Sequence, residues 1–442
     1  VSNRETKTVN ALSICTLVLL MAPSPAHGQP SVTWLWQSEN ELEDGVNAIS
    51  ADGLGGAVLA GGVRYDSVGG LLDGQLFTLD AAGNPNWTRE VRTTNFDYSS
   101  AVAMDGQGGV FVAGATWGDL AATNAGFSDA YVAKYDAAGS RLWLVQLGST
   151  GNDWFRGAAA DRFGNVILSG HTNRNFAGTH AGSDDGILSK FDADGNHLWS
   201  RQFGGQGSDV SEDVSVDKVG AIYVAGTTAT PLGSPGQYVY DGFLRKYDGD
   251  GMQLWIRQIG STADDIQADA VATDELGNVF VTGWIERFDA SLGASTGRAF
   301  LSKYDAEGDH RWTREFEHAR ESWSRDVSAD GLGNAIIAGH FGDTQFAFGN
   351  SDGFVSKYDA EGNLAWTLEL GTDETDSING VSTDLLGNIF VAGETAGSLG
   401  RPSTGGYDSW VALLRYRRVP EPSGMALIAI ATIAAFAFRR HW

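Results

Sequence analysis

Lys303-Tyr304-Asp305-Ala306-Glu307-Gly308 (KYDAEG) returns letter for letter at residues 357–362. An Asp followed three residues later by a Gly is the pattern of a type I turn, with Asp at the first corner and Gly at the last. KYDAEG thus reads as the end of one strand and the tight turn into the next. Turns of the same kind stand at Asp136–Gly139, Asp192–Gly195 and Asp248–Gly251. The phrase is one copy of a hairpin that the chain writes repeatedly.

Tryptophan sets the interval. Trp34, Trp87, Trp143, Trp199, Trp255, Trp312 and Trp366 are separated by 53, 56, 56, 56, 57 and 54 residues. A period of about 55 identifies a repeat architecture and overrides the roughly three domains that a length of 442 would suggest. An Asp-x-x-Gly follows each Trp, at Asp52, Asp105, Asp161, Asp217, Asp274, Asp330 and Asp384, and nine residues after each Asp stands another Gly, from Gly61 to Gly393. Between them lie short apolar runs such as NVFVTG (278–283) and NIFVAG (388–393), which read as strands covered on both faces. DGFLRKYD (241–248) exemplifies a third strand and LWIRQIG (254–260) a fourth. Four antiparallel strands per module and seven modules predict an all-β fold, a seven-bladed β-propeller.

Two details refine the prediction. Two residues before each turn Asp stands Ser or Ala (Ser50, Ala103, Ala159, Ser215, Ala272, Ser328, Ser382), as the crowded axis of a propeller requires. The repeated Trp falls on the outer strand, where the wedge between blades is widest and a large ring buries much apolar area. The chain opens with a fourth-type strand at Trp34 and ends on a third-type strand, SWVALLRY (409–416). The N-terminal strand is therefore expected to complete the last blade, leaving no open edge in a domain spanning 29–416.

The KYDAEGNLAW-type hairpins, the Gly-rich four-residue turns and the (N)VFVAG strands resemble the bacterial seven-bladed β-propeller repeat family, SBBP, over Trp34–Tyr416. That resemblance implies the fold and an exported location, and it brings no catalytic signature. Quinoprotein blades are similar in their Gly-containing turn before Trp, but those propellers are usually eight-bladed with shorter modules.

Composition narrows the partners. The formal charge is −25, which argues against nucleic acid, whose phosphates need a basic footprint, and against adsorption to anionic lipid. The ends supply addresses. Arg4 and Lys7 precede the apolar run Ala11–Met21, too short to span a bilayer, and Ala26-His27-Gly28 offers a cleavage site, so residues 1–28 read as a signal peptide. Cys15, the one cysteine, lies in that run, leaving an exported body without disulfides. At the other end, Val419-Pro420-Glu421-Pro422, the apolar stretch 425–438 and the basic Arg439 and Arg440 resemble the PEP-CTERM sorting signal of Gram-negative bacteria. The resemblance implies that an exosortase-type membrane protease recognises and removes the tail 417–442, in organisms that make exopolysaccharide. Membrane contact is then expected only through that tail.

Chemistry is expected on the face that carries the four-to-one and two-to-three loops, since these vary while the other turns are short and uniform. Ten residues after the repeated Trp come Asp44, Asp97, Asp153, Asp209, Asp265 and Asp376 (with Ser322 in the sixth module), and Asp73, Asp129, Asp185, Asp241, Asp352 and Asp408 start third strands (with Arg298 in the fifth). Two readings of these carboxylates stand: Ca²⁺ sites or a cation-bridged polysaccharide surface, or acceptors for backbone N–H groups of their own loops. His171 and His340 read as surface side chains. Trp117, Trp154, Trp284 and Trp323 either stack on sugars or pack the loops. Gly293–Gly297 fits G-x-S-x-G literally but without strand–turn–helix context. The leading functional reading is a non-enzymatic binding or structural module at the cell surface or in the extracellular matrix, with polysaccharide or surface proteins as partners. The alternative is an exported carbohydrate-active lyase or hydrolase with its site at the channel mouth, where a convergent acid–base pair would favour it.

Overall fold

A computed structural model describes residues 29–38, 44–64, 72–231, 238–260, 264–289, 294–316, 318, 320–342, 351–384, 386–403 and 406–416. The signal-like segment 1–28 and the sorting tail 417–442, with Val419, Pro420, Glu421, Pro422, Arg439 and Arg440, lie outside the described residues.

Seven antiparallel four-stranded sheets follow one another along the chain. Blades 1 to 6 take their strands in sequence order from residues 44–91, 97–147, 153–203, 209–259, 265–315 and 321–370, inner strand first. Blade 7 combines three strands between 376 and 416 with Pro30–Gln37, which pairs as its outermost strand. The register runs from Pro30 opposite Tyr416 to Gln37 opposite Trp410. The expected clasp is present, and the ring closes.

The core lies between blades. Leu59 and Phe77 of blade 1, for example, pack in one cluster with Phe390, Val411 and Leu413 of blade 7. Second and third strands covered on both sides are buried end to end, as in Val110–Thr116 and Asp129–Tyr135. That is why their sequences run continuously apolar instead of alternating.

KYDAEG and the repeated Trp turn out to be two halves of one contact. In each three-to-four turn the Gly N–H donates to the Asp carbonyl, as Gly308 to Asp305 at 3.0 Å and Gly362 to Asp359 at 2.9 Å. Asp Oδ1 accepts two further backbone N–H groups of the same turn. The indole N–H of the preceding blade then donates to the carbonyl after that Asp: Trp143 to Ala193 at 3.0 Å, Trp255 to Ala306 at 3.3 Å, Trp312 to Ala360 at 3.1 Å. Trp366 of blade 6 reaches the Tyr416 hydroxyl of blade 7 instead, at 3.3 Å, because the last blade has no three-to-four turn. The turn Gly lies flat on the ring. A Cβ on Gly195 would meet Trp143 at 2.8 Å, and the φ of +86° already excludes most side chains. Two residues after Trp, Arg89, Arg201, Arg257 and Arg314 lie over their indoles and donate to the next turn's Gly carbonyl, Arg257 to Gly308 at 2.7 Å. Each blade docks onto the next through aromatic area, and four of the seven add charge-assisted hydrogen bonds from this Arg.

A second regularity sits at the axis. Every inner strand carries one β-bulge, and the residue left unpaired is Asn47, Ser100, Arg156, Glu212, Asp269, Arg325 or Asn379. The recurrent second-strand Gly faces this bulge. A Cβ there would lie within about 2 Å of an inner-strand carbonyl oxygen, for instance 1.8 Å from Trp154 O at Gly170. The Gly column in the sequence is thus the shadow of the bulge.

Candidate functional site

The carboxylates expected on the variable face hold loops. Asp153 accepts the Ser149 N–H at 2.5 Å, the Ser149 hydroxyl and the Thr172 hydroxyl. Asp376 accepts the N–H and hydroxyl of Thr372 at 2.6 and 2.8 Å, Asp97 does the same with Thr93, and Asp209 accepts the Gly205 N–H at 2.7 Å. Asp265 instead accepts the Tyr240 N–H of the preceding blade at 3.0 Å. The side chain of Asp44 lies outside the described residues. Burial pushes the carboxyls of Asp97, Asp153 and Asp376 above their ordinary range, the local hydrogen bonds opposing it. Among the described residues, no three His, Cys, Asp or Glu side chains group so as to hold a metal ion.

The second Asp column has a partner that sequence reading overlooked, a Gln three residues after the repeated Trp. Gln146 Nε2 donates to Asp129 Oδ2 at 2.9 Å, while its Oε1 accepts the backbone N–H groups of Leu120, Ala121 and Ala122. Gln202 does the same with Asp185 and residues 176–178, and Gln37 bridges Asp408 and Gly400. Where Glu replaces this Gln, arginines enter: Arg287 pairs with Glu315 at 2.8 Å in blade 5, and Arg320 with Asp352 at 2.8 Å in blade 6. The two-to-three loops of blades 2, 3 and 7 are therefore anchored from inside.

One other expectation needs correction, the surface placement of the two histidines. His171 and His340 are half-buried against Trp154 and Trp323, at 6.0 and 5.3 Å between ring centroids. Burial, reinforced by Arg156 and Arg325 respectively, brings both imidazoles down to about 3. They are neutral, and Arg156 Nε donates to His171 Nδ1 at 3.2 Å. Trp284 and Trp323 are fully buried and pack the interior, whereas Trp117 and Trp154 are half-buried and meet edge to face at 5.4 Å. Ser295 of the G-x-S-x-G match lies in the strand Ala294–Tyr304, opposite Phe288.

The most chemically diverse assembly is axial, a place where the sequence suggested only small residues. A cavity of about 350 Å³ runs along the inner strands, walled by small residues such as Ala101, Gly157, Ala158 and Ser215 and capped by the bulge residues. On blades 7, 1 and 2 those residues are neutral and latch the next blade: Asn379 donates to Val46 O at 2.9 Å, Asn47 to Ser99 O at 2.9 Å, and Ser100 to Phe155 O. On blades 3 to 6 they are charged. Arg156 pairs with Glu212 at 2.9 Å, and Arg325 lies 3.7 Å from Asp269. The four side chains keep 38%, 24%, 38% and 14% of their surface exposed, so the channel reaches them. One residue on, Asp213 accepts the Val271 N–H at 2.9 Å and Asp326 the Val381 N–H at 2.7 Å, each tying its blade to the following one. Burial lifts Asp213 and Asp269 to about 7 and Asp326 well above the usual carboxylate range, the last helped by the nearby charge of Asp213. The missed signal was available. These residues stand five and four positions before the turn Asp, facing the Gly column.

Comparison with known proteins fits this picture of repeats. A family model described as SBBP, beta-propeller repeat, matches residues 198–233, 254–285 and 365–400. Three modules match the SBBP repeat. Each match begins one residue before a repeated Trp. An uncharacterized WD repeat-containing protein of Acanthamoeba polyphaga mimivirus is 21% identical over 447 aligned positions, covering 75% of this chain and 32% of the relative. The regulatory protein FlaEY of Caulobacter vibrioides is 26% identical over 236 positions, 48% of this chain and 24% of the relative. The chain thus spans about a third or less of these relatives. Among solved structures, a complex of YCF48 with D1 peptide is similar at TM-score 0.47 and 10% identity, over 90% of this chain and 99% of that one. A xyloglucanase from Xanthomonas campestris is similar at TM-score 0.45 and 12% identity, over 84% and 53%.

Proposed function

We propose that this chain is an exported, non-enzymatic β-propeller that serves as a binding and structural module at the cell surface or in the extracellular polysaccharide layer of a Gram-negative bacterium. An exosortase-type protease would recognise Val419–Pro422 and release the body from the tail. One observation carries most of this reading. The ring closes between Pro30 and Tyr416, so the scaffold requires neither terminal segment, as a protein trimmed at both ends must not. The anchored loops add a rigid display surface. The test is fractionation of a producing strain carrying the full chain or a Pro420→Ala/Pro422→Ala variant. Wild type should lose its tail and reach the outer fraction, and the variant should stay uncut in the membrane. Identical processing and location of both would refute the sorting reading.

The axial carboxylates favour a second reading, an exported glycan hydrolase or lyase. Asp269, held near 7 beside Glu212, has the protonation behaviour of a general acid. Release of new reducing or unsaturated ends from a glycan panel, abolished in Glu212→Gln, would establish it.

A further inference from the structure

Seven repeats provide an internal control for what the fold requires at each position. At the bulge, Asn379, Asn47 and Ser100 show that a neutral hydrogen-bonding side chain suffices to latch one blade to the next. Arg156, Glu212, Asp269 and Arg325 occupy the same backbone position on four successive blades. Taking ionised groups out of bulk water is unfavourable even when they are paired, and these four do nothing for closure that Asn would not do. Their presence breaks a local rule at one side of one channel, which is where a functional site is expected to leave its mark. Bulges are also a common means of aiming a side chain into a site.

From this cluster we propose that the axial channel binds a neutral, hydroxyl-rich ligand, the terminal sugar unit of a glycan. The proposal rests on the polysaccharide-binding reading above and names its site. Charge decides the class. Of the four carboxyls that line the cavity, Asp213 and Asp326 accept backbone N–H groups, and Glu212 and Asp269 face the two guanidiniums. Neither an anionic nor a cationic ligand therefore finds an uncommitted counter-charge. With a net charge of −25, the chain further disfavours acidic sugars. Hydroxyls, by contrast, donate to carboxylates and accept from guanidinium at once, and Arg–carboxylate pairs serve both needs. Among the described residues Asp269 Oδ2 makes no hydrogen bond and faces Arg325 only at 3.7 Å, a loose ion pair whose hydrogen-bonding capacity is not used up within the protein. Among the described residues the cavity wall carries no aromatic ring, so recognition there rests on hydrogen bonds to the charged side chains and not on stacking. The cavity, at about 350 Å³, is at the small end of ligand pockets and accommodates a chain end, not a chain.

Calorimetric titration of the full chain with glucose, galactose and mannose, with glucuronic acid and with glucosamine tests this directly. Saturable binding of at least one neutral hexose is expected, with glucuronate and glucosamine at least tenfold weaker. Asp269→Asn and Arg325→Gln should each weaken it by about tenfold or more. Arg257→Gln, which loosens a blade contact far from the axis, should lower the melting temperature and leave affinity unchanged. Stronger binding of the acidic or the amino sugar, binding by none, or equal loss in Arg257→Gln would each overturn the proposal. Co-sedimentation with isolated exopolysaccharide separates this from the broader reading. Wild type that co-sediments undiminished by Asp269→Asn sinks the axial site alone, while failure of wild type to co-sediment sinks both.

Discussion

Glycine separates two physical demands in this chain. Gly195 and Gly220 both end Asp-x-x-Gly turns, with φ of +86° and +88°. A side chain on either pays the left-handed penalty, on the order of 1–2 kcal/mol. Only Gly195 also lies on an indole, while a Cβ at Gly220 meets nothing within 4 Å. Urea unfolding should therefore show Gly220→Ala destabilised by about 1 kcal/mol and Gly195→Ala by roughly 1–3 kcal/mol more, since Trp143 must shift. Equal losses would mean that the turn Gly answers to its dihedral alone. The Asp that opens each turn was legible in sequence because its bonds are local; the indole beneath the Gly was not, because it comes from some 50 residues away.

At the scale of an element, the two-to-three loops owe their shape to a strand-four side chain. Gln146→Ala would strip the acceptor from Leu120, Ala121 and Ala122 and a donor from Asp129. Leaving such groups unpaired costs on the order of 1–3 kcal/mol. Hydrogen exchange at residues 120–122 should accelerate markedly, with the blade 2 strands themselves little changed; unchanged exchange at those amides would show that the loop holds itself. Reading along the sequence offered Asp129 a cation or its own loop, and the Ala125 N–H does reach it. The Gln partner was not visible because it lies 17 residues on, after a turn. Pairing brings the two together.

For the whole molecule, closure and pH are the sensitive variables. Deleting Pro30–Gln37 would expose the edge of Asp408–Tyr416, and an uncovered edge strand invites association. Size-exclusion chromatography should find that deletion oligomeric and its melting broad and early, against a monomeric, sharp transition for the intact ring. Two sets of carboxyls oppose one another in pH. Turn residues such as Asp105, Asp161 and Asp330, held low by hydrogen bonds and by lysines that outweigh their burial, contribute stability above 3.8 that is lost as pH falls through their folded values. Asp213 and Asp269, lifted to about 7 by burial, contribute stability that is full below 3.8 and is lost as pH rises through 7. The melting temperature should peak at about pH 4–5 and decline toward pH 8. Asp213→Asn should flatten the alkaline decline, and a melting temperature that climbs steadily to pH 8 would contradict the assignment.

What the sequence determined by itself is whatever repeats: the blade count, the four strands, the turn chemistry and the clasp. The strands and turns recur about every 55 residues, the blade count and the clasp follow from that recurrence, and recurrence at one spacing is visible without coordinates. Only tertiary structure decided what differs between repeats and converges. Arg156, Glu212, Asp269 and Arg325 look like unrelated substitutions along the chain, and closure of the ring brings them to one channel. Periodicity reports the scaffold because every blade solves the same packing problem. A site made by breaking that periodicity becomes visible only when the blades face a common axis.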